Sequence, residues 1–271
     1  MFAIRTLRPF TERIPFAWAQ GTGAKIINPI RNDEIMPKDE YFFFGILRGS
    51  GEMFKRCLNT NYTFYYADHA YLYNEYYKKN FCYRITKNWH CNNVIIDRPS
   101  DRYEKFKAKK ISKWKNTGEY VLICPPSIYI QIFDSQFEWL KKTIDTVKQY
   151  TDRKIIIREK TVPDQLYDMA KIKKIKFNEE YSDNTLDHDL EHAWCVITYN
   201  SMVAIDALIN GIPIFTNSKM SVAYDLAEKD FSKIENPYYP PDRENFLNHL
   251  AYSQFTIEEM ANGTAYKLLN M

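Results

Sequence analysis

Residues 193–216, AWCVITYNSMVAIDALINGIPIFT, constrain the fold more than any other stretch of the chain. The nearly continuous apolar run 194–198 predicts a buried strand, and Tyr199-Asn200-Ser201 a polar corner after it. Residues 202–209 read as an apolar helix stopped by Asn210-Gly211, and Ile212-Pro213-Ile214-Phe215 opens another strand. Strand, helix and strand in so short a span predict a βαβ unit with its polar groups gathered at one end. In open α/β sheets ligands bind at that end, beyond the carboxyl ends of the strands, and a helix start there suits an anion. Asp206 interrupts the apolar helix. A carboxylate in that position must be paired, exposed or bonded to a ligand.

The same alternation extends backwards. Residues 120–124 read as a strand ending in Pro125-Pro126-Ser127, and 136–150 as an amphipathic helix with Phe137, Leu140, Ile144 and Val147 on one stripe. Residues 154–158 read as a strand and 165–173 as a helix, a pattern that predicts a parallel sheet covered by helices. In the first half, 14–19, 41–47 and 62–67 read as strands, the last ending at Asp68-His69, with a helix over 52–58 and short strands near 83–86 and 94–97. A charge-rich stretch over 101–115 marks the boundary, giving expected domains of 1–116 and 117–244. Two helices, 243–251 and 256–269, close the chain and are candidates to pack back on the first domain.

With 271 residues, 45% hydrophobic and 26% charged, the chain is globular and large enough for two domains. Residues 1–118 hold 21 Lys and Arg against 11 Asp and Glu, a net +10, and the remainder 16 against 23, a net −7. That asymmetry suggests a polyanionic partner for the first half, although solvated lysines give the same count. The five cysteines (Cys57, Cys82, Cys91, Cys124, Cys195) lack Cys-x-x-Cys spacing, so reduced thiols and no metal site are expected. No apolar run reaches about 18 residues and the N-terminus has no signal-peptide core, which predicts a soluble, unexported, cytoplasmic protein.

Polar residues fall where the second domain's strands should end: Ser127, Arg158, Asn200, Ser201 and Thr216. Hydroxyls, helix-start N–H groups and an arginine are what a nucleoside diphosphate asks for, and Asp206 could accept from a ribose hydroxyl. Capping needs only one of Asn200 and Ser201, and Arg158 could equally be a surface strand end. In the first half Asp68 and His69 are candidate general bases, neighbours that a strand would turn to opposite faces. Arg48 and Ser50 lie in a Gly-containing loop that reads as a weak phosphate cradle or a plain strand–helix turn. Tyr71, Tyr73, Arg84 and Lys87 belong to a tyrosine-rich, basic region suited to stacking on bases, part of which must be core. The lysines of 105–115 suit phosphates or a solvated helix face equally.

The stretch NSMVAIDALINGIPIF resembles the donor-site signature of the GT-B glycosyltransferases: Asn-Ser-Thr, apolar residues, Glu-Ala, then Gly-x-Pro. Asn200, Ser201, Ala207, Gly211 and Pro213 match in place, while Met202 stands for the usual Thr and Asp206 for the usual Glu. KIIIR at 154–158 is similar to the strand preceding the donor site in capsule-type members, and residues 250–269 resemble the tail of short GT-B-like proteins of tailed bacteriophages. The resemblance implies an α/β fold of two Rossmann-type parallel-sheet domains facing a central cleft. It implies a nucleotide sugar, a UDP-sugar foremost, as donor in the second domain, with no prosthetic group or metal, and an acceptor on the first. For a phage enzyme that acceptor would be the hydroxymethyl group of a modified pyrimidine in double-stranded DNA, in the host cytoplasm. A capsule or lipopolysaccharide glycosyltransferase, and a non-catalytic nucleotide- or DNA-binding protein, are the rival readings.

Overall fold

The computed structural model describes residues 1–6, 9–46, 50–77, 81–91, 95–107, 109–160 and 176–271. These form two compact units, Met1–Ala108 together with Glu244–Met271, and Lys109–Arg243. The expected helix over 165–173 and residues Arg48, Lys78 and Lys79 lie outside the described residues.

The first unit is built on a six-stranded sheet. Its strands are β1 (Phe2–Ile4), β2 (Lys25–Ile27), β3 (Tyr41–Phe44), β4 (Phe64–His69), β5 (Cys82–Lys87) and the C-terminal β11 (Gln254–Thr256), in the order β11-β5-β4-β3-β1-β2. Strands β2, β1, β3 and β4 run parallel, whereas β5 and β11 are antiparallel additions. Residues 14–19, expected as a strand, belong instead to helix α1 (Arg13–Thr22). The run Ile-Pro-Phe-Ala-Trp-Ala carries no period that separates a short buried strand from a helix. Its buried residues Ile14, Ala17 and Trp18 fall at i, i+3 and i+4, and Pro15 is tolerated because it sits in the first turn. Helix α2 (Gly51–Thr60) follows β3, and α3 (Asp101–Phe106) ends the N-terminal part of the unit.

The tyrosines and phenylalanines of this unit fill both faces of the sheet. Trp18 stacks on Phe42 at 4.5 Å and contacts Tyr65 on one face. Phe43, Phe54, Phe64 and Tyr66 contact one another on the other. Helix α8 (Arg243–Tyr252) leads into β11, and the expected helix over 256–269 is two short ones, α9 (Ile257–Ala261) and α10 (Thr264–Leu269), parted at Gly263 with φ +82°. A capping box between Thr256 and Glu259 starts α9, and Arg102 grips the Glu259 carboxylate at 2.8 Å. Gly21 of α1 lies so close to this segment that a Cβ there would stand 2.0 Å from the Met260 carbonyl oxygen.

The second unit carries a five-stranded, wholly parallel sheet of β6 (Tyr120–Cys124), β7 (Lys154–Ile157), β8 (Glu180–Tyr181), β9 (Ala193–Thr198) and β10 (Ile214–Phe215). The order is β10-β9-β6-β7-β8. Counted within the unit this is 5-4-1-2-3, the Rossmann order read from its far edge, with the reversal between β6 and β9. Helix α4 (Ile128–Asp134) is an addition to the sequence reading, and α5 (Trp139–Val147) is the helix expected over 136–150, shorter at both ends. Helix α6 (Leu186–His192) precedes β9, and α7 (Val203–Ile209) joins β9 to β10. Residue Gly211 ends α7 at φ +74°, where the chain at Lys113 passes against it and a Cβ would lie 2.0 Å from the Lys113 oxygen.

The charge asymmetry of the sequence fades on these bounds. The first unit holds 18 Lys and Arg against 14 Asp and Glu, the second 19 against 20, so the +10 and −7 become +4 and −1. Four of the boundary lysines fall in the second unit, where Lys109 pairs with Asp187 at 2.5 Å and Lys115 donates to the Leu190 and Glu191 carbonyls. Lys105 pairs with Glu259 and Lys107 with Glu104.

Two predictions follow from this packing. Gly211→Ala combines a left-handed backbone with a backbone clash and should destabilise the second unit by about 3 kcal/mol or more. The Gly23→Ala change, at φ +73° with open space around it, should cost only about 1–2 kcal/mol in the first; urea unfolding of both variants checks the difference. Burial, with Arg84 adding, lowers the His90 imidazole from 6.5 to about 3, and burial with Arg98 lowers His249 to about 4. Both are held neutral in the fold while the unfolded chain takes up protons below 6.5, so their stabilisation is full above that pH and declines as pH falls toward 4. Each contributes a slope of at most about 1.4 kcal/mol per pH unit, and a His90→Phe, His249→Phe double variant should flatten the unfolding free energy between pH 6.5 and 4.5.

Candidate functional site

At the reversal in the second unit, Cys124 and Thr198 are register partners at the carboxyl ends of β6 and β9. Thr198 is fully buried, and its Oγ1 donates to the Cys124 carbonyl at 3.0 Å while accepting from the Ser201 N–H at 3.0 Å. One hydroxyl thus ties together the two strand ends and the corner that follows. The Ser201 Oγ in turn accepts from Val203 N–H at 3.3 Å, a local turn at the entry to α7, whose N-cap position is Met202. The Asn200 side chain, partly exposed, makes no hydrogen bond among the described residues. Across the reversal, Ser127 precedes α4 in an extended conformation and its hydroxyl makes no capping bond.

The Arg158 side chain stands just past the end of β7, with its backbone N–H on the Ile123 carbonyl at 2.9 Å. Its Nη1 donates to Asp189 Oδ2 at 2.6 Å and to the Asn184 carbonyl at 2.9 Å. Asp189 is fully buried and is also held by the Ser182 hydroxyl at 2.6 and 2.8 Å. A buried carboxylate requires such partners. The Nε and Nη2 donors of Arg158 make no hydrogen bond among the described residues, and the side chain is 26% exposed. Arg158, Asp189 and Asp206 all act on the Cys124 thiol, which burial raises to about 12, with Arg158 opposing and the two carboxylates adding. The sequence candidates Ser127, Arg158, Asn200, Ser201 and Asp206 therefore lie on the elements around the end of β6. Thr216 does not offer itself to a ligand: it is fully buried, and its Oγ1 accepts from Ser218 N–H at 3.2 Å.

In the first unit Asp68 and His69 are the last two residues of β4, not loop residues after it. Alternation turns them to opposite faces. Asp68 faces its register partner Arg84 on β5, whose Nη2 lies 3.3 Å from Oδ2, and shares that face with Tyr66, whose hydroxyl donates to Oδ2 at 2.6 Å. The His69 N–H donates to Oδ1 at 2.8 Å. Burial alone would raise the Asp68 carboxyl, but Arg84, the Tyr66 hydroxyl and the His69 N–H outweigh it and hold it at about 2. A base held there accepts a proton poorly at neutral pH. His69 points to the other face, its ring edge-on to Phe44 at 6.1 Å, and is partly exposed.

The expected acceptor residues divide. Arg84 and Tyr71 are each 4% exposed, with the guanidinium 5.4 Å from the Tyr71 ring, and Ser50, 3% exposed, donates to the Gly45 carbonyl. These three are core and turn residues, a correction to their reading as ligand contacts. Tyr65 and Tyr66 are likewise fully buried, because a strand whose two faces are both covered leaves no ring of its own for stacking, whereas Tyr62 and Tyr77 are half-buried and Tyr76 is exposed. Tyr73, 42% exposed, remains at the surface. Lys87 does too, its Nζ on Asn270 Oδ1 at 2.7 Å. Arg48 lies outside the described residues.

Thr198, Ser182 and Asp189 were not singled out in the sequence. Thr198 could have been found as the one hydroxyl in an otherwise apolar strand end, whereas Asp189 sits in a helix as acidic as its surroundings. No group of three His, Cys, Asp or Glu among the described residues can hold a metal ion, and no described helix is long and apolar enough to cross a membrane.

No known family's sequence pattern matches the chain, and no curated protein matches it by sequence. Among solved structures it is similar to the beta Kdo 2,7 transferase of Thermosulfurimonas dismutans KpsC, at 14% identity, covering 99% of this chain and 98% of that one with a TM-score of 0.53. The beta Kdo 2,4 transferase of the same KpsC matches at 11% identity over 93% and 98% of the two chains with a TM-score of 0.45. Together with two parallel-rich α/β sheets, one in Rossmann order, the first of these likenesses gives the chain the GT-B-like fold.

Proposed function

We propose that the protein is a glycosyltransferase whose second unit binds a nucleotide sugar, UDP-linked foremost, at the reversal between β6 and β9. The observation that carries this is the pair of polar groups left uncommitted there. Ser201 is engaged with Thr198 and Val203, whereas the Asn200 side chain makes no hydrogen bond among the described residues. Arg158 is fixed through one nitrogen and keeps an open edge for an oxyanion. Asp206, in the first turn of α7, is assigned to a ribose hydroxyl. Stabilising the departing phosphate oxygens is the electrostatic part of the work.

The first unit is assigned to the acceptor. His69 rather than Asp68 is the general base, because three donors already hold Asp68 in its ionised form. The hydroxymethylpyrimidine acceptor is what the resemblance to phage proteins implies, and the charge excess of residues 1–118 and the tyrosine-rich region are the features of the chain that favour it. With a net charge of +4 on the first unit and Tyr65, Tyr66 and Tyr71 in its core, a glycan acceptor of the capsule or lipopolysaccharide kind is the better supported reading.

Asn200→Ala should weaken nucleotide binding about tenfold without moving the unfolding midpoint, whereas Ser201→Ala should lower stability by about 1 kcal/mol. Calorimetry with UDP and thermal unfolding separate the two effects. Asp68→Asn should destabilise the first unit by about 3–5 kcal/mol, since it leaves Arg84 buried without a counter-charge. By contrast, His69→Ala should leave folding nearly intact and reduce kcat. Incubation of the wild type with radiolabelled nucleotide sugars, and either glycans or hydroxymethylated DNA, decides the acceptor. Label found only in DNA would reverse the preference for glycan, and absence of both nucleotide binding and transfer would end the proposal.

A further inference from the structure

We infer that Asp189 is a positioning residue for anion binding, holding Arg158 so that its free edge faces an incoming phosphate; this rests on the donor-site reading above. The Asp189 side chain is fully buried, yet helix α6 gives it no partner of its own. Both of its oxygens are held from outside the helix, by the Ser182 hydroxyl after β8 and by Arg158 after β7. Three separate elements therefore converge on one carboxylate.

The geometry is asymmetric in a way a purely structural ion pair does not need. A guanidinium can meet a carboxylate with two parallel N–H donors. Here Nη1 alone makes the contacts, to Asp189, to the Asn184 carbonyl and more distantly to the Ser182 hydroxyl at 3.5 Å. Nε and Nη2, the other edge of the fork, carry no bond among the described residues. The long side chain has thus lost its rotamer freedom before a ligand arrives. Pre-organisation of this kind raises affinity because the ordering penalty is not charged to binding. Burial of Asp189 keeps its own oxygens away from the anion, so the carboxylate steers the cation without competing for its free donors.

The test uses the full chain titrated with UDP and with inorganic pyrophosphate, the latter removing any dependence on the base. Asp189→Asn and Ser182→Ala should each weaken pyrophosphate binding, by about tenfold for the first and less for the second. On an Arg158→Met background neither should weaken it further, because both act through Arg158. Losses that persist undiminished on that background, or affinity unchanged in the single variants, would overturn the assignment of Asp189 while leaving the donor site standing. A wild type that binds neither probe would end the donor-site reading itself. Should Asp189→Asn fail to fold, Ser182→Ala, which removes a hydroxyl and no charge, carries the same cycle.

Discussion

A parallel sheet whose strand order reverses cannot send helices over both of its central strand ends, and the rest of the second unit is arranged around that gap. The crossover after β6 departs toward β7, and the one after β9 departs toward β10. Two polar loops are left side by side at the carboxyl edge. The Thr198 hydroxyl, bonded to Cys124 and Ser201 across the reversal, fixes how far apart they stand. On the outer side Gly211 lets the chain at Lys113 pass directly against the end of α7, which fixes that helix from behind. The polar corner, although made of loop residues, is thus tied to both strand ends, a condition for holding a small charged ligand.

Each unit also buries an aspartate–arginine pair, and the contrast between them separates scaffold from site. Arg84 is 4% exposed, lies near the rings of Tyr66 and Tyr71, and meets Asp68 across two paired strands. Removing Asp68 would take a carboxylate from a buried guanidinium, whereas Asp68 itself is 25% exposed. In Arg158 the proportions are reversed: the carboxylate is wholly buried and the cation partly open. Identical residue types with opposite burial give one pair to stability and the other to a surface that can meet a ligand.

The sequence was most legible where local pattern and tertiary role coincide. Strands β6, β7 and β9, helix α7 and the Asn210-Gly211 stop all stand where apolar runs and a left-handed glycine place them. It was least legible where a short apolar run has no period. Residues 14–19 satisfy a strand as well as a helix until Pro15 and the spacing of Ile14, Ala17 and Trp18 are weighed against the sheet they cover. Strands β1, β2 and β8 are too short to show alternation at all. Charge misled for another reason: a count along the chain assigns Lys109 to Lys115 and the acidic C-terminal segment by order, while the fold assigns them by contact.

The corner Tyr199-Asn200-Ser201 shows how far a site can be read before coordinates and what only they can add. Two adjacent residues, each able to cap a helix, stand ahead of α7 in sequence, yet the N-cap position falls on Met202 and neither side chain caps it. The backbone decides which of the two is engaged: Ser201 turns its oxygen toward Val203 N–H, and its own N–H toward Thr198, leaving the Asn200 amide outside both bonds. An amide offers donors and an acceptor together, so it can meet a phosphate oxygen or a sugar hydroxyl with equal ease. Beside it stand a cation with one edge fixed and one open, and a carboxylate in the first turn of α7. Of these, the Asn200 amide and the open edge of Arg158 make no hydrogen bond among the described residues, and the proposed nucleotide sugar would use both.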